Sequence, residues 1–148
     1  MNSQERLKER LPSAILESIA ASSVMTLATL YFLEHPDQVG IWFPIISSSF
    51  LILSTLFDYK TTLLLLNAGG RELNTTLPEH PHSSELMSKK RLFIECYLLS
   101  LGTAFPPLGI GIATARTGVV ISNLLSLRKQ HVYNSIHNIP PQGKGMEN

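Results

Sequence analysis

The sequence predicts an all-α integral membrane protein with four transmembrane helices arranged as two hairpins, and three observations predict it. Apolar residues are clustered, filling residues 14–33, 41–57 with 63–66, and 92–127, while charge collects between them. The runs reach or exceed the roughly 20 residues that cross a hydrocarbon core. The connectors also differ in sign: residues 34–40 hold two acids and no Lys or Arg, whereas the next polar segment holds Lys60, Arg71, Lys89, Lys90 and Arg91. A three-span alternative treats residues 92–127 as one kinked or re-entrant element, because the arm before Pro106 is short once Glu95 is set aside.

Composition narrows the functional classes. A chain of 148 residues is one domain's worth, and a net charge of +1 with 16% charged residues gives no electrostatic reason to expect nucleic acid. The single cysteine, Cys96, lies inside an apolar run, so no internal disulfide and no cysteine metal knuckle is expected. No cofactor is expected either.

Residues 1–12 read as a cytoplasmic amphipathic segment of mixed charge ending at Pro12, and residues 13–130 as the helical transmembrane domain. The first span covers residues 13–33, with Glu17 expected at the headgroups. Its mixed-charge leader, and the bulky Tyr31, Phe32 and Leu33 where a cleavage site would need small residues, read as an uncleaved anchor. The acidic turn 34–40 faces outward, Trp42 and Phe43 suit the outer interface, and Pro44 suits the first turn of a helix running to about Asn67. Gly69 and Gly70 supply its stop.

A Pro-punctuated loop over residues 77–84 leads to an expected N-cap at Ser83 or Ser84 and a helix from near Glu85. Residues 92–105 form the third span, in which Glu95 lies one turn after Arg91 and is expected to pair with it. Pro106 and Pro107 break that helix, residues 108–127 form the fourth span, and Arg128 and Lys129 close it. Residues 131–148 are polar, carry no apolar periodicity and read as a flexible tail. Both termini then face the cytoplasm.

The unusual chemistry is polar and sits inside apolar runs. Asp58 lies roughly 15 Å from the inner end of its helix at 1.5 Å per residue. Thr61 and Thr62 follow it at i+3 and i+4, on the same face, and both hydroxyls could reach its carboxylate. Arg116 lies near the middle of the last span and needs a partner, since a lone charge there costs several kcal/mol. Asp58 is the candidate. Gly109, Gly111, Ala113, Ala115 and Gly118 crowd the same span, and the pairs Gly111 with Ala115 and Thr114 with Gly118, four apart, let helices approach closely.

Asp58-x-x-Thr61-Thr62 followed by Gly69-Gly70-x-Glu72-x-Asn74 resembles the D-x-x-T-T and G-G-x-E-x-N-P signature of a family of small polytopic membrane proteins of unknown function. Thr75 stands where that family has proline. The resemblance covers roughly residues 45–128 and implies a helical membrane fold without a known activity. It adds Glu72, Asn74 and Asn123, the last resembling an asparagine near the end of the family's final span. The candidate polar cluster is therefore Asp58, Thr61, Thr62, Glu72, Asn74, Arg116 and Asn123.

Two functions are compatible with such a cluster. One is a non-enzymatic structural or partner-binding component, held together by Asp58 with Arg116 and associated with the bilayer and with a second copy or another membrane protein. The other is a small ion- or proton-linked transporter using Asp58. Weaker patterns have plainer explanations: Glu79, His80, His82 and Glu85 read as a solvated loop rather than a metal site, and His131 and His137 as surface residues. The serines at 47–49 lack a nucleophile elbow, and residues 109–118 follow no strand, so helix packing explains them better than a dinucleotide loop.

Overall fold

The computed structural model describes residues 3–70, 86 and 88–137, and every regular element among them is helical. In chain order these are α1 (Ser3–Glu34), the one-turn α2 (Pro36–Val39), α3 (Trp42–Asn67), α4 (Lys89–Ala104) and α5 (Pro106–Ile136). Three of them, α1, α3 and α5, are long and apolar enough to cross a membrane. α4, with 16 residues, is about 24 Å long and is not one of the three.

Sequence punctuation sets most boundaries. Pro44 falls in the first turn of α3, where a missing N–H costs nothing. At the other end Gly69 takes φ +84°, its N–H donates to Leu66 O at 3.0 Å and that of Gly70 to Leu65 O at 2.9 Å, the double closure of a Schellman turn. Ser88 caps α4 by accepting from the Arg91 N–H at 3.4 Å. One residue, Phe105, separates α4 from α5, whose first two positions are Pro106 and Pro107.

Two boundaries differ from expectation. Pro12 does not end a helix: α1 runs through it. A proline removes one bond and crowds the carbonyl four residues back, and here that residue, Lys8, is exposed, so its carbonyl can be solvated. At the other end α5 continues past Lys129 to Ile136, so residues 131–136 of the expected tail are helical.

The cross-helix pairings give directions. Thr55 meets Arg116, Thr61 and Thr62 meet Asn123, and the Ala68 carbonyl meets Asn134, so α3 and α5 run parallel. Ser48 meets Thr103 and Asp58 meets Arg91, so α4 is antiparallel to α3. Gly118 lies against Glu17 and Gly111 against Met25, so α1 is antiparallel to α5. α5 packs against α1, α3 and α4. None of its residues from 106 to 120 is exposed, which its small Gly and Ala side chains make possible.

The polarity of the bundle is inverted relative to a water-soluble one. α3 buries Ser47, Ser54, Thr61 and Thr62 beside Leu51, Leu65 and Leu66, and exposes Ile45, Ile46, Phe50, Ile52, Leu53, Leu56 and Phe57. In water such a helix would bury its isoleucines and phenylalanines before its hydroxyls. In lipid the apolar face needs no cover, and small or hydroxyl side chains are what let helices pack. The two ends differ as well. At one, Phe32 stacks on Phe43 at 5.9 Å and meets Phe105 edge-on at 6.5 Å, tying the turn after α1 to the α4–α5 turn. At the other end lie the N-termini of α1 and α4 and the C-termini of α3 and α5, with Arg6, Lys8, Lys89, Lys90, Arg128 and Lys129.

Candidate functional site

The polar residues of α3 form a seam. Ser47, Leu51, Ser54, Asp58, Thr61 and Leu65 recur at alternating intervals of four and three, a spacing that keeps one face of a helix toward a neighbour. Across from them on α5 stand Gly109, Arg116, Asn123 and Gln130, seven apart. Its contacts fall into layers from the aromatic end to the basic end.

In the first layer Ser47 Oγ donates to Pro106 O at 2.9 Å and lies 3.2 Å from Gly102 O. These are carbonyls around the α4–α5 turn, and Ser47 satisfies them from α3 with its own side chain fully buried. The approach is close enough that a Cβ on Gly109 would overlap Ser47 Oγ and lie 2.9 Å from the Gly102 Cα. Ser48 and Thr103 share a 2.7 Å hydrogen bond beside it.

The second layer holds the charges. Arg116 Nη2 sits 2.6 Å from Glu95 Oε2, and its Nη1 donates to Thr55 Oγ1. Arg91 Nη2 lies 3.5 Å from Asp58 Oδ2. The expected partners are therefore exchanged: Arg116 pairs with Glu95 rather than Asp58, and Glu95 pairs across helices rather than with Arg91 one turn away. Register explains the exchange. α4 lies against both α3 and α5, so its two inward charges each meet a charge on a different neighbour, a placement that sequence spacing within α4 cannot show.

In the third layer Asn123 Nδ2 donates to Thr62 Oγ1 at 3.1 Å and to Thr61 Oγ1 at 3.3 Å. Thr61 itself donates to the backbone carbonyls of Phe57 at 2.9 Å and Asp58 at 3.2 Å. The threonines thus serve the α3–α5 contact and not the Asp58 carboxylate, contrary to the expectation from their shared face. A hydroxyl in a helix can always bond the carbonyl one turn back, and that leaves its oxygen free to accept from Asn123. In the last layer Asn134 Nδ2 donates to Ala68 O at 3.0 Å while its Oδ1 accepts from Gln130 Nε2 at 3.1 Å, closing the end of α3.

α1 brings a further pair. Arg10 holds Glu17 through two contacts of 2.6 and 2.5 Å and also donates to Ser13 Oγ. Glu17 was expected at the start of the span, but it lies against Gly118, twelve residues into α5, and only 11% of its side chain is exposed. Arg10 reaches up two turns to neutralise it. Three carboxylates, Glu17, Asp58 and Glu95, are thus matched by three guanidiniums, Arg10, Arg91 and Arg116. Such matching is what an apolar surrounding demands of a charge.

Of the residues expected in the cluster, Asp58, Thr61, Thr62, Arg116 and Asn123 all lie on the α3, α4 and α5 contacts; Glu72 and Asn74 lie outside the described residues, as do Glu79, His80, His82 and Glu85. Sequence reasoning missed the cross-helix roles of Ser47, Thr55, Arg91, Glu95 and Asn134. The seven-residue recurrence of Gly109, Arg116, Asn123 and Gln130 was the signal for the α5 side. Among the described residues no group of three His, Cys, Asp or Glu could hold a metal ion. His35 packs on Tyr31 and His137 on Tyr133, one at each end of the bundle. Compared with protein-family models, with curated proteins and with solved structures, the chain shows no match.

Proposed function

We propose that the chain is a small multi-pass membrane protein whose polar cluster is a structural clamp, and that it acts as a non-enzymatic scaffold or partner-binding component. The observation that carries this reading is the matching of charges inside a bundle whose outer surface is apolar. Each inward carboxylate has a guanidinium, and Thr61 and Thr62 serve Asn123, so the oxygen atoms a cation would need are engaged in holding helices.

A four-crossing path is supported by direction. α3 and α5 both run from the aromatic end to the basic end, so the chain between them has to return across the bundle, and α4 is the element that does so. Its shortfall against a core of about 30 Å is of the size that local thinning and the long stems of Lys89 and Lys90 can accommodate. The basic end is then cytoplasmic, with both termini there. The signature-like stretch from Asp58 to Asn74 supports kinship with small polytopic membrane proteins.

Membranes carrying the tagged chain test the reading. The protein should remain in the pellet through a carbonate wash and leave it only with detergent. Purified and sealed into vesicles, it should pass no more ions or protons than empty vesicles do. Release by carbonate would remove the membrane assignment, and a flux abolished by Asp58→Asn would replace the clamp with a transporter.

A further inference from the structure

α5 is longer than a bilayer core. Counting the roughly 20 residues that span about 30 Å from Pro106 ends near Leu125, and the helix continues to Ile136. On this continuation Leu125, Arg128, Lys129, Val132, Tyr133 and Ile136 line a single open cleft of about 500 Å³. They recur at intervals of three and four and so form one stripe, with Leu125, Val132, Tyr133 and Ile136 all more than half exposed. Two cations sit within it. Arg10, Arg91 and Arg116 are consumed by internal pairs, but Arg128 and Lys129 are exposed and enter no ion pair among the described residues.

We propose that this stripe is a binding site for an anionic phospholipid, with the phosphate on Arg128 and Lys129 and an acyl chain along Leu125 toward Ile121. The inference rests on the membrane reading above, which puts Arg128 and Lys129 just past the hydrocarbon edge, at phosphate depth. Charge complementarity selects the occupant. A protein partner covering the same stripe would have to desolvate two free cations next to apolar surface, whereas an anionic lipid supplies acyl chain and phosphate at the spacing the stripe already has. Tyr133, one turn beyond Lys129, has the amphipathic ring that is favoured at headgroup level.

The test uses the full chain in mild detergent, titrated with phosphatidylglycerol or with phosphatidylcholine of the same acyl chains and read by native mass spectrometry and by thermal unfolding. Phosphatidylglycerol should bind and raise the melting temperature, and phosphatidylcholine should do so far less. Replacing Arg128 and Lys129 together by Gln should weaken phosphatidylglycerol binding by about twenty-five-fold, two basic side chains at about fivefold each. The Lys89→Gln, Lys90→Gln variant, with the same loss of charge at the same end but on α4, should bind nearly as the parent does. Equal losses in the two variants would mean general surface attraction and overturn the site. Equal protection by inorganic phosphate would make it a plain anion site, and a dimer cross-linked through cysteines placed at Val132 would make it an interface between copies; either overturns the proposal. Failure of the carbonate wash would instead remove the membrane reading on which it rests.

Discussion

Arg116 on α5 grips Glu95 on α4 at 2.6 Å while donating to Thr55 on α3, so one guanidinium joins three helices. Its neighbour Arg91 lies one turn from Glu95 on α4 and pairs with Asp58, which lies one turn from Thr55 on α3. The four charges form two pairs, one on the α3–α4 contact and one on the α4–α5 contact. α4, the short helix, contributes to both and is held by both.

Breaking the Glu95–Arg116 pair from one side should therefore be costly. Glu95→Gln leaves a half-buried guanidinium unpaired and Arg116→Gln a half-buried carboxylate, and each should lower stability by about 3 kcal/mol or more. The double replacement removes both charges and should recover much of the loss. Detergent melting temperatures of the three variants check it, and additive losses would show that the two side chains act separately.

Asp58 should behave differently. Its 3.5 Å contact with Arg91 is longer, and 29% of the arginine side chain is exposed, so loss of this ion pair should cost less than loss of the Glu95–Arg116 pair. Combining Asp58→Asn with Arg116→Gln should give no recovery of the kind expected for Glu95→Gln. Recovery in that combination, read by the same melting temperatures, would mean that Asp58 and not Glu95 is the working partner of Arg116.

These two cases mark how far the sequence reaches. That Asp58 and Arg116 need partners follows from their apolar surroundings alone, and so does the crowding of glycine on α5. Which charge meets which does not, because Arg91 and Glu95 are equally placed by spacing to satisfy each other. The choice is made by the rotation of α4 against two neighbours. Thr61 and Thr62 show the same limit: their shared face with Asp58 is legible, but Asn123 lies 61 residues further on and reaches them only through the parallel register of α3 and α5. The end of α3 was easier, because glycine acts locally at Gly69; the cap expected at Ser83 or Ser84 lies outside the described residues, and the serine that caps α4 is Ser88. Pro12 misled because its cost is set by the solvation of the Lys8 carbonyl, a property of the surroundings.

Topology follows from direction. Reporters fused near residue 80 and after residue 143 should both read cytoplasmic, and one placed in the Pro36–Val39 turn should read exterior. Lys and Arg collect at one end of the bundle, whereas the turn around α2 carries Glu34 and Asp37. An exterior reading after residue 143 would mean that α4 does not return the chain across the membrane, and would leave three crossings.

The backbones of α4 and α5 approach closely at Gly102 and Gly109, and this gives a graded test of packing. A Cβ added at Gly102 would stand 2.9 Å from the Gly109 Cα, and one at Gly109 would meet both Ser47 Oγ and the Gly102 backbone. Backbone cannot move aside without separating α4 from α5 and breaking the Ser47 bond to Pro106. At Gly111 the added atom would instead meet Met25 Cβ at 3.0 Å and its Cγ and Sδ at 3.3 and 3.4 Å, a contact that a small shift of α1 relieves without breaking a hydrogen bond named above. Gly102→Ala and Gly109→Ala should each cost about 1 to 3 kcal/mol, the usual range for overpacking, and Gly111→Ala should cost less than 1. Melting temperatures in detergent rank the three. If Gly111→Ala proved the worst, the tight contact that organises the bundle would lie between α1 and α5, and α4 would be the peripheral helix.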